Sequence, residues 1–497
     1  MVVAMNKKLV EFVVFGIFLA GLFLFFSYVH PLVPYDGDDW HYLSEFRHAW
    51  PEWGSWNPSK VLPETLMPLC GYVSAYVLRP LLGDYISSIT MCSALIVSIM
   101  IGIYLYSFYK LIDKKFETPY MGSLLITSLF LLFHFIFFSS NAVNNTHLFY
   151  SFNLTCFFFY VLPWLLNAAL VLYLLKYDNF LTEIELTKSG ILLLAFYLAI
   201  FSNIFHSVML TAVIFVQLFI CYFKECSGNI CKYECIKKYV LQYSGWFIVM
   251  GIWLVSLVFE ANGGRSHQIG QSLFALPVKE TVLVLGKLLK ETSKTVSVML
   301  LVVFCAAGAM YWKSKGKDVA DGLFHDMVVK CVSCIVLILA YVILVSAKAG
   351  ASYIGNAHVV VSFLFYLLLV FCFSIAYIFQ KHPRMISLLP CICFIFTVYA
   401  FNSHRHFRES NISNIAPYKC VLVDKDLIRQ ITEADKEGKT EMVLRVPRGD
   451  QNDNWPHPLY MGTNLSRTLF THGIISQNIK ITIQPDVKMN VKYRLGK

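Results

Sequence analysis

GILLLAFYLAIFSNIFHSVMLTAVIFVQLFICYF, residues 190–223, is the stretch that decides how this chain is threaded. It is an apolar run of 34 residues. That is too long for one membrane span and short for two, since a span takes about 20 residues. Ser202, Asn203, His206 and Ser207 interrupt it. Two short helices joined at a polar tip explain the interruption, and so does one long kinked helix. Two helices return the chain to the side it came from, whereas one inverts everything that follows.

The basic residues favour the hairpin. Read as spans at about 190–201 and 208–223, the stretch joins nine other apolar runs, at about 9–28, 86–109, 121–139, 152–175, 239–258, 297–312, 328–346, 359–379 and 385–402. With the N-terminus inside, Lys7, Lys8, Lys110, Lys114, Lys115, Lys176, Lys188, Lys224, Lys313, Lys381 and Arg384 all fall in inner segments. The short outer segments 140–151 and 202–207 carry none, as the excess of Lys and Arg in cytoplasmic loops requires. The expectation is a polytopic all-α bundle of about eleven spans, with large outer loops at 29–85 and 259–296 and the C-terminus outside.

Composition agrees. The chain of 497 residues is 57% hydrophobic, 16% aromatic and 14% charged, with a mean hydropathy of +0.59, which excludes a soluble globular protein of this size. Its net charge of +10 reads as a topology signal and not as a nucleic-acid footprint. Lys7 and Lys8 precede an apolar run with no small-residue cleavage pattern after it, so the first span reads as an uncleaved signal anchor. Cys226, Cys231 and Cys235 read as reduced cytoplasmic thiols, and Cys331 and Cys334 as packing within a span.

From about 403 to 497 the chain turns polar, with fifteen Lys/Arg against ten Asp/Glu. A helix over Asp424–Glu437 and strands over Glu441–Val446 and Ile479–Gln484 predict a small soluble α/β or α+β domain. In the second large loop, Val278, Val282, Leu285 and Leu289 share one face of a helix that also bears Lys279, Lys287, Lys290 and Lys294. Such a helix suits a membrane interface.

The first large loop opens with Pro34-Tyr35-Asp36-Gly37-Asp38-Asp39-Trp40-His41-Tyr42. Carboxylates at a bilayer edge are costly to desolvate, so a cluster of them marks a functional site, although Asp, Gly and Pro are also ordinary turn residues. Crowding should raise the pKa of at least one toward that of a useful base. If Trp40 to Trp50 forms a short helix, Asp39 caps it and Asp38 is freer to meet a substrate. Gly263-Gly264-Arg265 could meet a phosphate through backbone and guanidinium, with a plain turn as the alternative. His206, His147 and Asn144 would face the same outer side. No Gly-rich phosphate loop, metal triad or serine nucleophile motif is present, which argues against an ATP-driven machine.

On Asp36-Gly37-Asp38-Asp39-Trp40 after the first span, together with the span pattern and the polar C-terminal segment, the chain resembles the GT-C superfamily of integral-membrane glycosyltransferases. Within it the chain is most like the bacterial, often phage-encoded, serotype-converting glucosyltransferases. The resemblance implies a polyprenyl-phosphate sugar donor and transfer to a glycan acceptor such as O-antigen, at the periplasmic face of the bacterial inner membrane. It implies a first-loop carboxylate as general base, Asp38 ahead of Asp39 and Asp36. It further implies Arg265 and Lys348 on the donor phosphate, with Trp40, His41, Trp53, Trp56 and His206 against the sugars. Members differ in metal dependence, and three carboxylates could hold Mg or Mn. The competing expectations are an O-antigen polymerase, which would want arginine-rich outer loops, and a flippase or transporter of lipid-linked sugars, which would want broken helices with midplane charges.

Overall fold

The computed structural model describes residues 7–47, 58–139, 147–151, 153–226, 233–261, 276–314, 318–403, 417–449 and 453–495. Among these, nine helices are long and apolar enough to cross a membrane: Lys7–Val29, Tyr85–Lys115, Leu154–Leu175, Ile204–Glu225, Ser244–Ala261, Lys294–Ser314, Val319–Ala349, Ala357–Lys381 and Pro383–Ala400. Tyr120–Ile136 and Gly190–Ile200 are apolar but shorter. Every expected run is thus helical, yet Gly190–Ile200, at about 1.5 Å per residue, covers only about half of a bilayer core.

The 190–223 stretch is a hairpin. Its helices break at Asn203, whose side chain accepts a hydrogen bond from Phe205 N at 2.8 Å and caps Ile204–Glu225. Asn203 Nδ2 also donates to Phe159 O near the start of Leu154–Leu175 (2.8 Å). Past the far end of that helix, Gln217 Nε2 donates to Asn179 Oδ1 (3.3 Å). The helices Leu154–Leu175 and Ile204–Glu225 therefore run in the same direction, and Gly190–Ile200 carries the chain back between them. Asn167, midway along the first, donates to Ala199 O as it passes (3.1 Å).

Burial sorts the helices. Ala357–Lys381 has 94% of its most apolar window buried and forms the axis, against 17% for Lys7–Val29, Ser244–Ala261 and Lys294–Ser314. Helices apolar all round and so exposed are built to face lipid. One end of the bundle is tied by ion pairs, Lys7 to Asp113 (2.9 Å), Lys110 to Glu11 (3.0 Å), Lys115 to Asp178 and Lys381 to Asp318 (2.6 Å). At that end Cys226 and Cys235 form a disulfide, which corrects the expectation of reduced thiols for those two, while Cys231 falls outside the described residues. Helix Tyr233–Gln242 folds back on the end of Ile204–Glu225, with Tyr239 donating to Leu218 O, and brings the two cysteines to a Cα separation of 6.4 Å.

At the opposite end sits the C-terminal segment. Strands Glu441–Pro447 and Lys480–Asp486 pair in parallel, Glu441 opposite Lys480 and Pro447 opposite Asp486. A parallel pair needs a crossover, supplied here by helix Met461–Thr471. Leu444, Val446, Ile481 and Ile483 turn inward while Lys480, Thr482 and Gln484 stay exposed. Helices Pro417–Lys436 and Val487–Tyr493 complete the unit.

Candidate active site at the junction of bundle and C-terminal segment

The acidic motif folds as a helix, Gly37–Ser44, that begins earlier than the sequence reading places it. Asp36, not Asp39, is the cap: its Oδ1 accepts from Asp38 N (2.9 Å) and Asp39 N (3.1 Å). Asp39 is drawn inward instead. Its Oδ2 accepts from Tyr35 N (2.7 Å), and its Oδ1 from Thr155 N and Thr155 Oγ1 (both 2.6 Å).

Three parts of the chain converge on Asp36. Its Oδ2 accepts from Asn153 Nδ2 (2.8 Å) and from Trp455 Nε1 (3.3 Å), so the loop before Leu154 and the C-terminal segment meet on one carboxylate. Helix Met461–Thr471 lies along the motif helix. Asn464 donates to Gly37 O (2.9 Å), and Ser44 and Thr468 share a hydroxyl bond (2.8 Å). The approach is close enough to demand small residues. A Cβ on Gly37 would lie 2.6 Å from the Tyr460 ring, and, where helix Pro63–Val73 packs on the motif helix, one on Gly71 would lie 2.0 Å from Leu43 O. Lys425 pairs with Asp84 (3.0 Å) and Tyr85 OH meets His472 Nδ1 (2.6 Å) at the edge of the same contact.

Burial separates the three carboxylates. Burial pushes the Asp36 carboxyl above its ordinary range, and the bonds it receives only partly offset this. Burial also raises Asp39, the Asp36 charge adds to it, and the Thr155 and Tyr35 donors oppose both; at zero exposure, burial prevails. Asp424, on helix Pro417–Lys436, joins them from the far side. It is buried, its Oδ2 has no partner among the described residues, and burial followed by the Asp39 charge holds its carboxyl well up. Asp38 alone of the motif is exposed, and its carboxylate has no hydrogen-bond or ion-pair partner among the described residues.

Around Asp38 the structure assembles groups that sequence reading did not join. His41 lies one turn on, and Arg467 Nη2 donates to its Nδ1 (2.7 Å) while pairing with Glu45 (3.0 Å). Because a guanidinium can only donate, His41 accepts at Nδ1 and, when neutral, carries its proton on Nε2. Tyr460 and Trp455 stand over the start of the helix. Asn153, Asp424, Trp455, Tyr460 and Arg467 carry no pattern in the sequence that joins them to the acidic motif.

Other expected site residues lie elsewhere. Trp40 is 1% exposed and packed in the core, so its ring offers no face to a sugar. His206 is fully buried behind the hairpin tip, its ring 6.3 Å from that of Tyr160, so it does not line an open surface. Lys348 is at the end of Val319–Ala349, on the motif's side of the bundle, where Tyr353 stacks on Phe205. Trp53, Trp56, Asn144 and Arg265 fall outside the described residues. Asp36 and Asp39 spend their oxygens on protein donors, and among the described residues no group of three or more His, Cys, Asp or Glu side chains is placed to hold a metal ion. Comparison with known protein families, with curated proteins and with solved structures finds no match to this chain.

Proposed function

We propose that the chain is an integral-membrane glycosyltransferase that moves a sugar, glucose in the first instance, from a polyprenyl-phosphate donor to a hydroxyl of a surface glycan such as O-antigen. The observation supporting this most is the division among the motif carboxylates: Asp36 and Asp39 are tied into the scaffold, and Asp38 is exposed and unpaired beside them. In this reading Asp38 takes the proton of the acceptor hydroxyl. The acceptor oxygen forms its bond to the anomeric carbon as the bond from that carbon to the phosphate oxygen breaks, and the lipid phosphate leaves with the electron pair. Trp455 and Tyr460 offer ring faces to the acceptor sugar in place of the buried Trp40. Arg467, Lys348 and Arg265 are the cations assigned to the phosphate. The C-terminal segment, periplasmic in this reading, positions the motif helix through Asn464, Arg467 and Thr468.

The test is expression in a bacterial host with a defined O-antigen and a coexpressed donor pathway, read by lipopolysaccharide mass. A hexose-sized increment is expected. An unchanged mass accompanied by altered polymer length or altered lipid-linked intermediates would replace the transferase reading with a polymerase or a flippase.

A further inference from the structure

The helix Val278–Lys290 is set into the bundle at the level where spans end. Just beyond it, Ser139 N donates to Glu291 O (2.7 Å) and Ser293 N to Phe137 O (2.9 Å), pinning it to the end of Tyr120–Ile136. The next span, Lys294–Ser314, starts at once. Thr281, Leu285 and Leu288 face the protein. Val278, Val282 and Leu289 form an adjoining flank that is exposed, and Lys279, Lys287 and Lys290, together with one carboxylate, Glu280, lie around the remaining face with Lys294 just beyond. The shared helical face expected for Val278, Val282, Leu285 and Leu289 is divided in the structure: Leu285 is buried against the protein and the other three are exposed.

Two things make the lysines unusual. They lie at the motif's end of the bundle, on a helix that runs directly into a span, whereas the short outer segments 140–151 and 202–207 carry no Lys or Arg. They also have no ion-pair or hydrogen-bond partner among the described residues. An apolar flank for acyl chains beside four ammonium groups that have no partner among the described residues, on a helix level with the ends of spans, matches an anionic interface.

We propose that this helix is a docking surface for acidic phospholipid headgroups of the surrounding leaflet. It holds lipid phosphates beside the 351–355 segment that follows Lys348, where a Cβ on Gly355 would lie 3.0 Å from Val284. The inference stands whether or not the chain is a transferase.

The test uses the full-length protein reconstituted in vesicles of equal phosphatidylglycerol and phosphatidylcholine, extracted in mild detergent, with the retained lipids counted by mass spectrometry. The wild type should retain phosphatidylglycerol preferentially, and less so as salt is raised. Replacing Lys279, Lys287, Lys290 and Lys294 by Gln should lower that preference about tenfold. Replacing them by Arg should keep it. Two paired variants, Lys279→Gln with Lys287→Gln and Lys290→Gln with Lys294→Gln, serve should the fourfold change reduce folding, and each should show a partial loss. No preference in the wild type, or the same preference in the Gln variants, would overturn the assignment.

Discussion

At one end of the bundle Asp178 lies against Lys115 and Asp318 against Lys381, whereas at the other Asp36, Asp39 and Asp424 are buried with no Lys or Arg as a hydrogen-bond partner. The first arrangement neutralises charge where it stands, and the Lys115 ammonium holds Asp178 below the usual carboxylate range. The second keeps carboxyls in a dry setting, satisfied by neutral donors and pushed upward. Buried carboxyls without counter-cations cost stability. A chain that keeps them together at one junction, with one more carboxylate left exposed beside them, has placed its least economical residues where a reaction would use them.

That contrast can be broken by mutation. The largest stability effect is expected for Asp39→Ala, which orphans Tyr35 N, Thr155 N and Thr155 Oγ1 in a buried site; about 3 kcal/mol is at stake, visible as a lower melting temperature in detergent. A loss below about 1 kcal/mol would show that the site relaxes or rehydrates.

The two ends should also respond to pH in opposite directions. A carboxyl raised by folding keeps its proton in the folded state, so the stability it contributes is lost as pH rises above the ordinary carboxylate range. Asp36, Asp39 and Asp424 all act this way. Asp84, lowered by its Ser87 bonds and Lys425 against its burial, partly opposes them at the same junction. Hydrogen exchange in 37–44 and 417–436, corrected for the intrinsic rate, should therefore accelerate between mildly acidic and alkaline pH. Uniform exchange across that window would remove the electrostatic part of the contrast.

The smallest effect belongs to the paired end. Asp178 is 91% exposed, so Asp178→Asn should change stability by no more than about 0.5 kcal/mol in the same melting assay. Its stabilising contribution is present above the ordinary carboxylate value and is lost as pH falls.

Much of the fold was legible because it follows from local pattern. The hairpin announced itself in Ser202-Asn203, a polar pair inside an apolar run, and Asn203 is the cap that breaks the helix there. The alternation of Ile481 and Ile483 with Lys480 and Thr482 revealed a half-buried strand. What was not legible came from far along the chain. Any of the three motif carboxylates could cap a helix, and the choice fell to Asp36 because Thr155 claims Asp39. Asn153 lies 117 residues beyond Asp36, and only the fold places its amide on that carboxylate. Arg467 sits inside a helix whose partner is 426 residues away in sequence. The aromatic residues beside the site had to be exchanged for the same reason: Trp40 is buried, and Trp455 and Tyr460 come with the C-terminal segment that lies against its helix.

The central claim rests on Asp38, and the most direct measurement is the lipopolysaccharide mass of cells expressing the wild type, Asp38→Asn and Asp38→Glu at matched membrane abundance. The account predicts a hexose-sized increment in the wild type, a loss of about 10²-fold or more in Asp38→Asn, and partial recovery in Asp38→Glu, because only a carboxylate can accept the acceptor proton. An Asp38→Asn protein that still transfers at the wild-type level would contradict it.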